Sequence, residues 1–334
     1  MSKMNMTKMN MNQRMMKAVV LTGPTKGEDV RLSRIPIPEV KPGWVLIKVM
    51  AFGLNHSEQV LREFEIENDY IKKPIIPGIE CVGEIADPSD STLEVGQKVV
   101  ALMGGMGRSF DGSYAEYALL PVHHVFPVKT SLPWVDMAAI PETYFTAWGS
   151  LFQCLRLVPS DCLLVRGATC ALGYASIQLA KALGCTVMGT THKSSRLPLL
   201  EESGCDKSIL DQGSLMGKVS GVTKALELIG IKTVRDTMMS VEQGAIVCNT
   251  GVLGKVYEWN HFDPIKDIPN GVYLTGFYSN YPTGQIIQDI FSFIDSHGLK
   301  PLVGARYSLD DISKACIALD NGKVSGKIVV QVQC

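Results

Sequence analysis

The stretch Leu163-Leu164-Val165-Arg166-Gly167-Ala168-Thr169-Cys170-Ala171-Leu172-Gly173 decides the fold. Its apolar head reads as a buried strand, its first glycine as a tight turn, and the segment from about Gly173 to Leu183 as a helix. Gly184 stands where a left-handed C-cap is expected, and Thr186 to Thr190 supplies a second strand. Strand, turn, helix and strand in that order form the unit of a parallel sheet with crossover helices. A dinucleotide site needs this unit, because the turn lets backbone approach the pyrophosphate and the N–H groups of the helix start point at it. Ala168 and Cys170 fill the first two glycine positions of the usual fingerprint, and Gly173 alone keeps its glycine. By itself the turn is equally an ordinary strand-to-helix connection. The alternation around it assigns Ala168, Thr169, Cys170, Ala171, Leu172 and Gly173 to a cofactor.

Toward the C-terminus, strands are expected at Ser208 to Leu210, Lys224 to Leu228, Ala245 to Asn249 and Val272 to Gly276. With the first two they make a doubly wound sheet of six, the size of one Rossmann domain. Toward the N-terminus the rhythm is different. From Lys17 to Ala139, short β runs (Ala18 to Thr22, Trp44 to Phe52, Val82 to Ala86, Lys98 to Leu102, Tyr114 to Leu120) are separated by Gly and Pro, which predicts a twisted, partly closed antiparallel barrel. After Tyr281, two helices (Gln285 to Asp295, Leu309 to Leu319) and a β run (Gly326 to Val332) exceed what the parallel sheet requires, so they return to the first domain. The expected division is a disordered leader over 1–15, a catalytic domain from 16–140 with 281–334, and a cofactor domain over 141–280.

Composition bounds the function. The 334 residues are 46% hydrophobic and 19% charged, with a formal net charge of −1, so no basic excess attracts a polyanion and nucleic acid is excluded as main partner. No apolar run reaches the ~18 residues of a membrane span. The Met-rich leader lacks the apolar centre of a secretory signal. Nine cysteines, none closer than eight positions to the next, fit neither a disulfide framework nor a zinc knuckle, and point to a reducing, cytoplasmic compartment. The end of the second strand, Thr190-Thr191-His192-Lys193-Ser194-Ser195-Arg196, has no acid to accept the ribose hydroxyls of NAD. Thr191, Lys193 and Arg196 suit a 2′-phosphate instead, so the expected cofactor is NADPH.

Several stretches together resemble the quinone oxidoreductase branch of the medium-chain dehydrogenase/reductase superfamily, over nearly all of Lys17 to Val332. They are Ala51-Phe52-Gly53-Leu54-Asn55, Pro77-Gly78-Ile79-Glu80 with Gly83, Gly112 to Tyr117, Thr146-Ala147-Trp148, Gln178 to Gly184, and Gly326-Lys327-Ile328-Val329. The resemblance implies a GroES-like, partly open β-barrel made by both chain ends, a central Rossmann domain, and an active cleft between them. The zinc alcohol dehydrogenases of the same superfamily carry a Cys ligand where this chain has Asn55 and a His ligand where it has Ile79. Without that thiolate and imidazole no tetrahedral catalytic zinc is expected. A zinc-free enzyme suits quinones and α,β-unsaturated carbonyl compounds, whose reduction leaves charge that ordinary hydrogen-bond donors stabilise.

The expected catalytic residues are Asn55, at the place of the lost ligand; Ser57, which resembles the hydroxyl relay of the alcohol dehydrogenases and also suits a helix cap; and Tyr144, a phenol donor. Glu80 is read as a cleft acid or a salt bridge joining the domains, and Tyr70 as part of a covering loop. Thr146, Gly251 and Phe277 are expected at the cofactor, with Phe277 as a wall for the nicotinamide. The reading is an NADPH-dependent reductase; the alternatives are an enoyl-thioester reductase and a non-catalytic NADPH-binding protein. The resemblance also implies a homodimer paired near Val272 to Gly276.

Overall fold

The computed structural model describes residues 14–333. The leader expected over 1–15 lies outside the described residues except for Arg14 and Met15, and Met15 already opens strand β1 (Met15–Val19). β1 pairs with β2 (Leu32–Pro36) in a separate antiparallel ribbon. The main sheet of the first unit is built on β3 (Trp44–Leu54), β4 (Glu80–Asp87), β5 (Lys98–Leu102), β6 (Tyr117–Pro121) and β7 (Val125–Pro127). β3 is the spine. It pairs with both β4 and β6, and its register against β4 shifts twice, between Leu46 and Ile47 and between Val49 and Ala51. Such irregularities bend a strand and strengthen its twist, which curls the sheet around its core.

Helix α1 (His56–Glu63) follows β3 within this unit, and α2 (Trp134–Met137) and α3 (Pro141–Trp148) follow β7 on the way to the second sheet. Past α3 a wide π-helical turn, Gly149–Cys154, leads to the second sheet. Its strands are β8 (Cys162–Arg166), β9 (Thr186–Thr191), β10 (Lys207–Leu210), β11 (Lys224–Glu227), β12 (Ile246–Asn249) and β13 (Tyr273–Gly276), all parallel, in the spatial order β10-β9-β8-β11-β12-β13. The expected six-stranded doubly wound sheet is present. Helices α4 (Ala171–Leu183), α5 (Leu197–Glu202), α6 (Val234–Met239) and α7 (Pro264–Asp267) lie between its strands. Gly184 ends α4 at φ 99°, the left-handed cap foreseen. α8 (Gly284–Ser296) comes next, then β14 (Val303–Ser308), α9 (Ile312–Asp320) and β15 (Lys327–Gln331), the last returning to pair with β3.

Within the stretch read as an antiparallel barrel the strand pairs are antiparallel; an unforeseen strand, β14, runs parallel to β15 at the sheet edge. Its Gly304 and alternating half-exposed residues hid it, as the short, Pro-ended β2 was hidden. One apolar core spans both sheets, joining Val82, Val100 and Phe126 to Leu163, Val165 and Ile177 through Phe145 of α3 and Ile290 of α8. A second core fills the barrel around Val45, Ile47, Phe52 and Leu120.

Candidate active site

β3 delivers the chain to Asn55, which leaves the strand in extended backbone (φ −126°, ψ 156°) and starts α1. The Asn55 side chain is spent within the protein. Its Nδ2 donates to Glu80 Oε1 at 2.8 Å, and its Oδ1 accepts from Lys327 Nζ at 2.5 Å. Lys327, from β15, also donates to Thr143 Oγ1 at 2.8 Å and pairs with Glu80 Oε1 at 2.7 Å. Glu80 Oε2 accepts from the backbone N–H of Glu142 at 2.8 Å. Glu80 is fully buried and Lys327 3% exposed, so the ion pair is dry and every polar atom in it is partnered. The salt bridge of Glu80 joins β4 to β15 within the catalytic unit, and its contact with the cofactor unit is the hydrogen bond from the Glu142 N–H.

Glu58 adds a second carboxylate. Three residues past Asn55, it accepts from the Asn55 backbone N–H at 2.7 Å and from the Ile79 N–H at 3.1 Å. Burial pushes its carboxyl up to about 7 against the pull of the Ile79 hydrogen bond; Glu80 raises it further and Lys327 draws it down. Glu142, also raised by burial, accepts from Thr146 Oγ1 at 2.7 Å. The site thus holds three packed carboxylates, Glu58, Glu80 and Glu142, against one ammonium, and a proton resides on Glu58 below neutral pH.

The second part of the candidate site is the strand-to-helix turn after β8. Gly167 has φ +83°, a left-handed conformation that favours glycine. A Cβ on Gly173 would meet Ala168 O at 2.2 Å, so glycine is what lets α4 press against the turn. Cys170, in place of a glycine, caps the helix by accepting from Gly173 N at 3.4 Å. The first N–H groups of the helix, at Ala171 and Leu172, have no intrahelical acceptor. Thr191, buried at the end of β9, shares a hydroxyl contact with Thr169 at 3.3 Å. At the exit of β12, Asn249 Oδ1 is buried without a hydrogen-bond partner. Free helix N–H groups, a glycine-dependent close approach and an orphaned acceptor fit a dinucleotide: Ala171 and Leu172 would hold its phosphates and Asn249 is a free acceptor.

Other expected residues are placed differently. Tyr144 is corrected: it is 2% exposed, its hydroxyl is taken by Gln178 on α4, and burial raises its phenol well above the ordinary range, so it is a packing residue and not a cleft donor. Phe277 covers Gly149, where a Cβ would lie 2.0 Å from its ring, and meets Phe145 edge-on at 5.8 Å. The close approach required at Gly251 is to Leu228 O, 2.1 Å from its would-be Cβ. Lys193 is exposed, whereas Arg196 reaches the other chain end, donating to Gly322 O at 3.3 Å and Lys323 O at 3.2 Å. Ser57 is half-buried on α1 and accepts from Arg108 Nη2 at 2.8 Å. Tyr70 is exposed and donates to Glu65 at 2.7 Å.

Glu58, Glu142, Thr143, Arg108 and Lys327 were not foreseen. Two had a signal: Asn55-x-x-Glu58 has the capping-box spacing, and Lys327 is a cation inside an apolar closing strand. Among the described residues no helix is long and apolar enough to cross a membrane.

Residues 41–130 match the family described as alcohol dehydrogenase GroES-like domain, and residues 207–330 match zinc-binding dehydrogenase. The chain is similar to a quinone oxidoreductase of Homo sapiens, 26% identical over 333 residues covering 95% of this chain and 98% of the relative. Among solved structures, AibC superposes with a TM-score of 0.85 at 23% identity, over 99% of both chains. Mycobacterial Rv1454c, complexed with NADPH, superposes with a TM-score of 0.81 at 22% identity, over 95% of this chain and all of that one. These two likenesses bear on the fold. With a GroES-like barrel, a six-stranded Rossmann sheet and both family matches, the chain is an oxidoreductase of the medium-chain dehydrogenase/reductase superfamily, with quinone oxidoreductases among its relatives.

Proposed function

We propose that the protein is an NADPH-dependent, zinc-independent reductase of quinones or α,β-unsaturated carbonyl compounds. The observation that carries this reading is the fate of Asn55. Where a zinc dehydrogenase needs a ligand, its amide oxygen is bound by the Lys327 ammonium and its amide nitrogen by Glu80, while Ile79 offers no donor. A dication placed there would meet an ammonium, so the donor set does not suit catalytic zinc, despite the name of the matched family.

NADPH held on the Ala168–Gly173 turn would supply the hydride that a conjugated acceptor takes at its electron-poor carbon. The residues of this chain then have three tasks: to hold the cofactor on the Ala168–Gly173 turn, to exclude water from the cleft, and to donate hydrogen bonds to the oxygen on which charge collects. Without a Lewis acid that charge must be delocalised, which favours conjugated acceptors over simple ketones. NADPH is preferred over NADH because Lys193 and Arg196 come after β9 and no acid does; the NADPH carried by the mycobacterial neighbour agrees with this. The proposed division keeps the catalytic unit at 16–140 with 281–334 and the cofactor unit at 141–280. We also propose a cytoplasmic homodimer paired through the open edge of β13, where Tyr273 is exposed. The decisive test is to reduce an enone with NADPH deuterated at C4: deuterium on the β-carbon of the product supports the reading, and its absence there refutes it.

A further inference from the structure

Arg108 lies in the loop 103–111, outside the stretches that carry the family resemblance. The loop is fixed by left-handed backbone at Met103, Gly104, Gly105 and Gly107, and by packing that leaves no room for a Cβ at Gly107, which would approach Gly78 N to 2.9 Å. From it the guanidinium makes a two-pronged pair with Glu65, Nε to Oε1 at 2.8 Å and Nη2 to Oε2 at 2.7 Å. Burial alone would raise the Glu65 carboxyl, yet hydrogen bonds from Arg108 and Tyr70 hold it below its ordinary value, so the pair stays ionised and rigid.

The same Nη2 donates to Ser57 Oγ at 2.8 Å and to Ser57 O at 3.3 Å. A guanidinium only donates, so Ser57 Oγ accepts there and its own proton is left for another acceptor. Among the described residues that hydroxyl proton has none. Ser57 is half-buried, two residues past Asn55 on α1; at the far end of this helix Phe64 meets Tyr257 of the cofactor unit at 6.4 Å. We propose that Arg108 is a positioning residue: it fixes Ser57 so that the serine hydroxyl donates to the acceptor oxygen on which charge collects. This rests on the reductase reading above. Because Glu65 balances the charge of Arg108, its contribution is orientation and polarisation of the hydroxyl, not a free positive field.

The test uses p-nitrophenol, whose phenolate is a stable aromatic oxyanion, bound to the NADP+ complex and followed by its absorbance across pH. The wild type is expected to bind the phenolate and to lower the pH at which the bound phenol ionises. Ser57→Ala and Arg108→Gln should each weaken phenolate binding about tenfold, the worth of one hydrogen bond, and the double variant no further. Arg108→Lys, which keeps one donor, should recover part of the loss, with NADP+ affinity unchanged in all four. The proposal is overturned if the wild type binds no phenolate, if Arg108→Gln binds it as wild type does, if the two losses multiply, or if NADP+ affinity falls in parallel. A wild type that shows the phenolate pattern but reduces no quinone or enone refutes the reductase reading and leaves the role of Arg108 standing.

Discussion

Replacing Lys327 by Met tests whether the buried network is held together by one ammonium. The substitution keeps the length and most of the volume of the side chain but removes the partner of Glu80 at 2.7 Å and the donors to Asn55 Oδ1 and Thr143 Oγ1. At an effective dielectric of 20, a pair at this distance is worth about 6 kcal/mol, part of which is returned because no ammonium need be dehydrated. What persists is the cost of an unpaired buried carboxylate, about 3–5 kcal/mol. Glu80 would keep only Asn55 Nδ2 and the Glu142 N–H. The loss should be larger at pH 8 than at pH 5, since Lys327 draws the Glu58 carboxyl down and its removal keeps a proton there to higher pH. Urea unfolding at both pH values reads this directly. Lys327→Met with Glu80→Gln should recover at least half of the stability lost in Lys327→Met alone. A loss below about 1 kcal/mol at pH 8, or a double variant whose loss equals the sum of the singles, would refute the argument.

Three further outcomes are expected. Between its ordinary value of 4.5 and about 7, Glu58 keeps in the folded state a proton that the unfolded chain has shed, so stability falls as pH rises through that window and levels off above it. The full drop is roughly 3 kcal/mol, and Glu58→Gln should flatten the profile of unfolding free energy against pH. Gly173→Ala forces the start of α4 away from Ala168 O, and NADPH affinity measured by fluorescence titration should fall at least tenfold. Tyr144→Phe removes only an internal hydrogen bond to Gln178, so turnover should match the wild type while unfolding free energy drops by about 1 kcal/mol.

The parallel sheet was legible because its strands are apolar runs closed by glycine and its first helix carries its own cap at Gly184. β14 was not, since a half-exposed edge strand shows no apolar face. Of the site, Asn55 was visible as a position, but not what its amide binds: Lys327 is 272 residues away and reaches it only because β15 pairs with β3. Arg166 illustrates the same limit. It looks like part of the phosphate turn, yet it is fully buried against Asp211 and Asp236, acids contributed by later βα units. Tyr144 misleads for the converse reason, since a phenol in a cleft-facing segment and one packed against the next helix have the same local sequence.

The most direct measurement is NADPH oxidation by chelator-dialysed protein against 1,4-benzoquinone, an α,β-unsaturated ketone and a saturated aldehyde. Turnover of the first two, none of the third, and no gain on adding zinc are predicted; activity that appears only when zinc is restored would contradict the account.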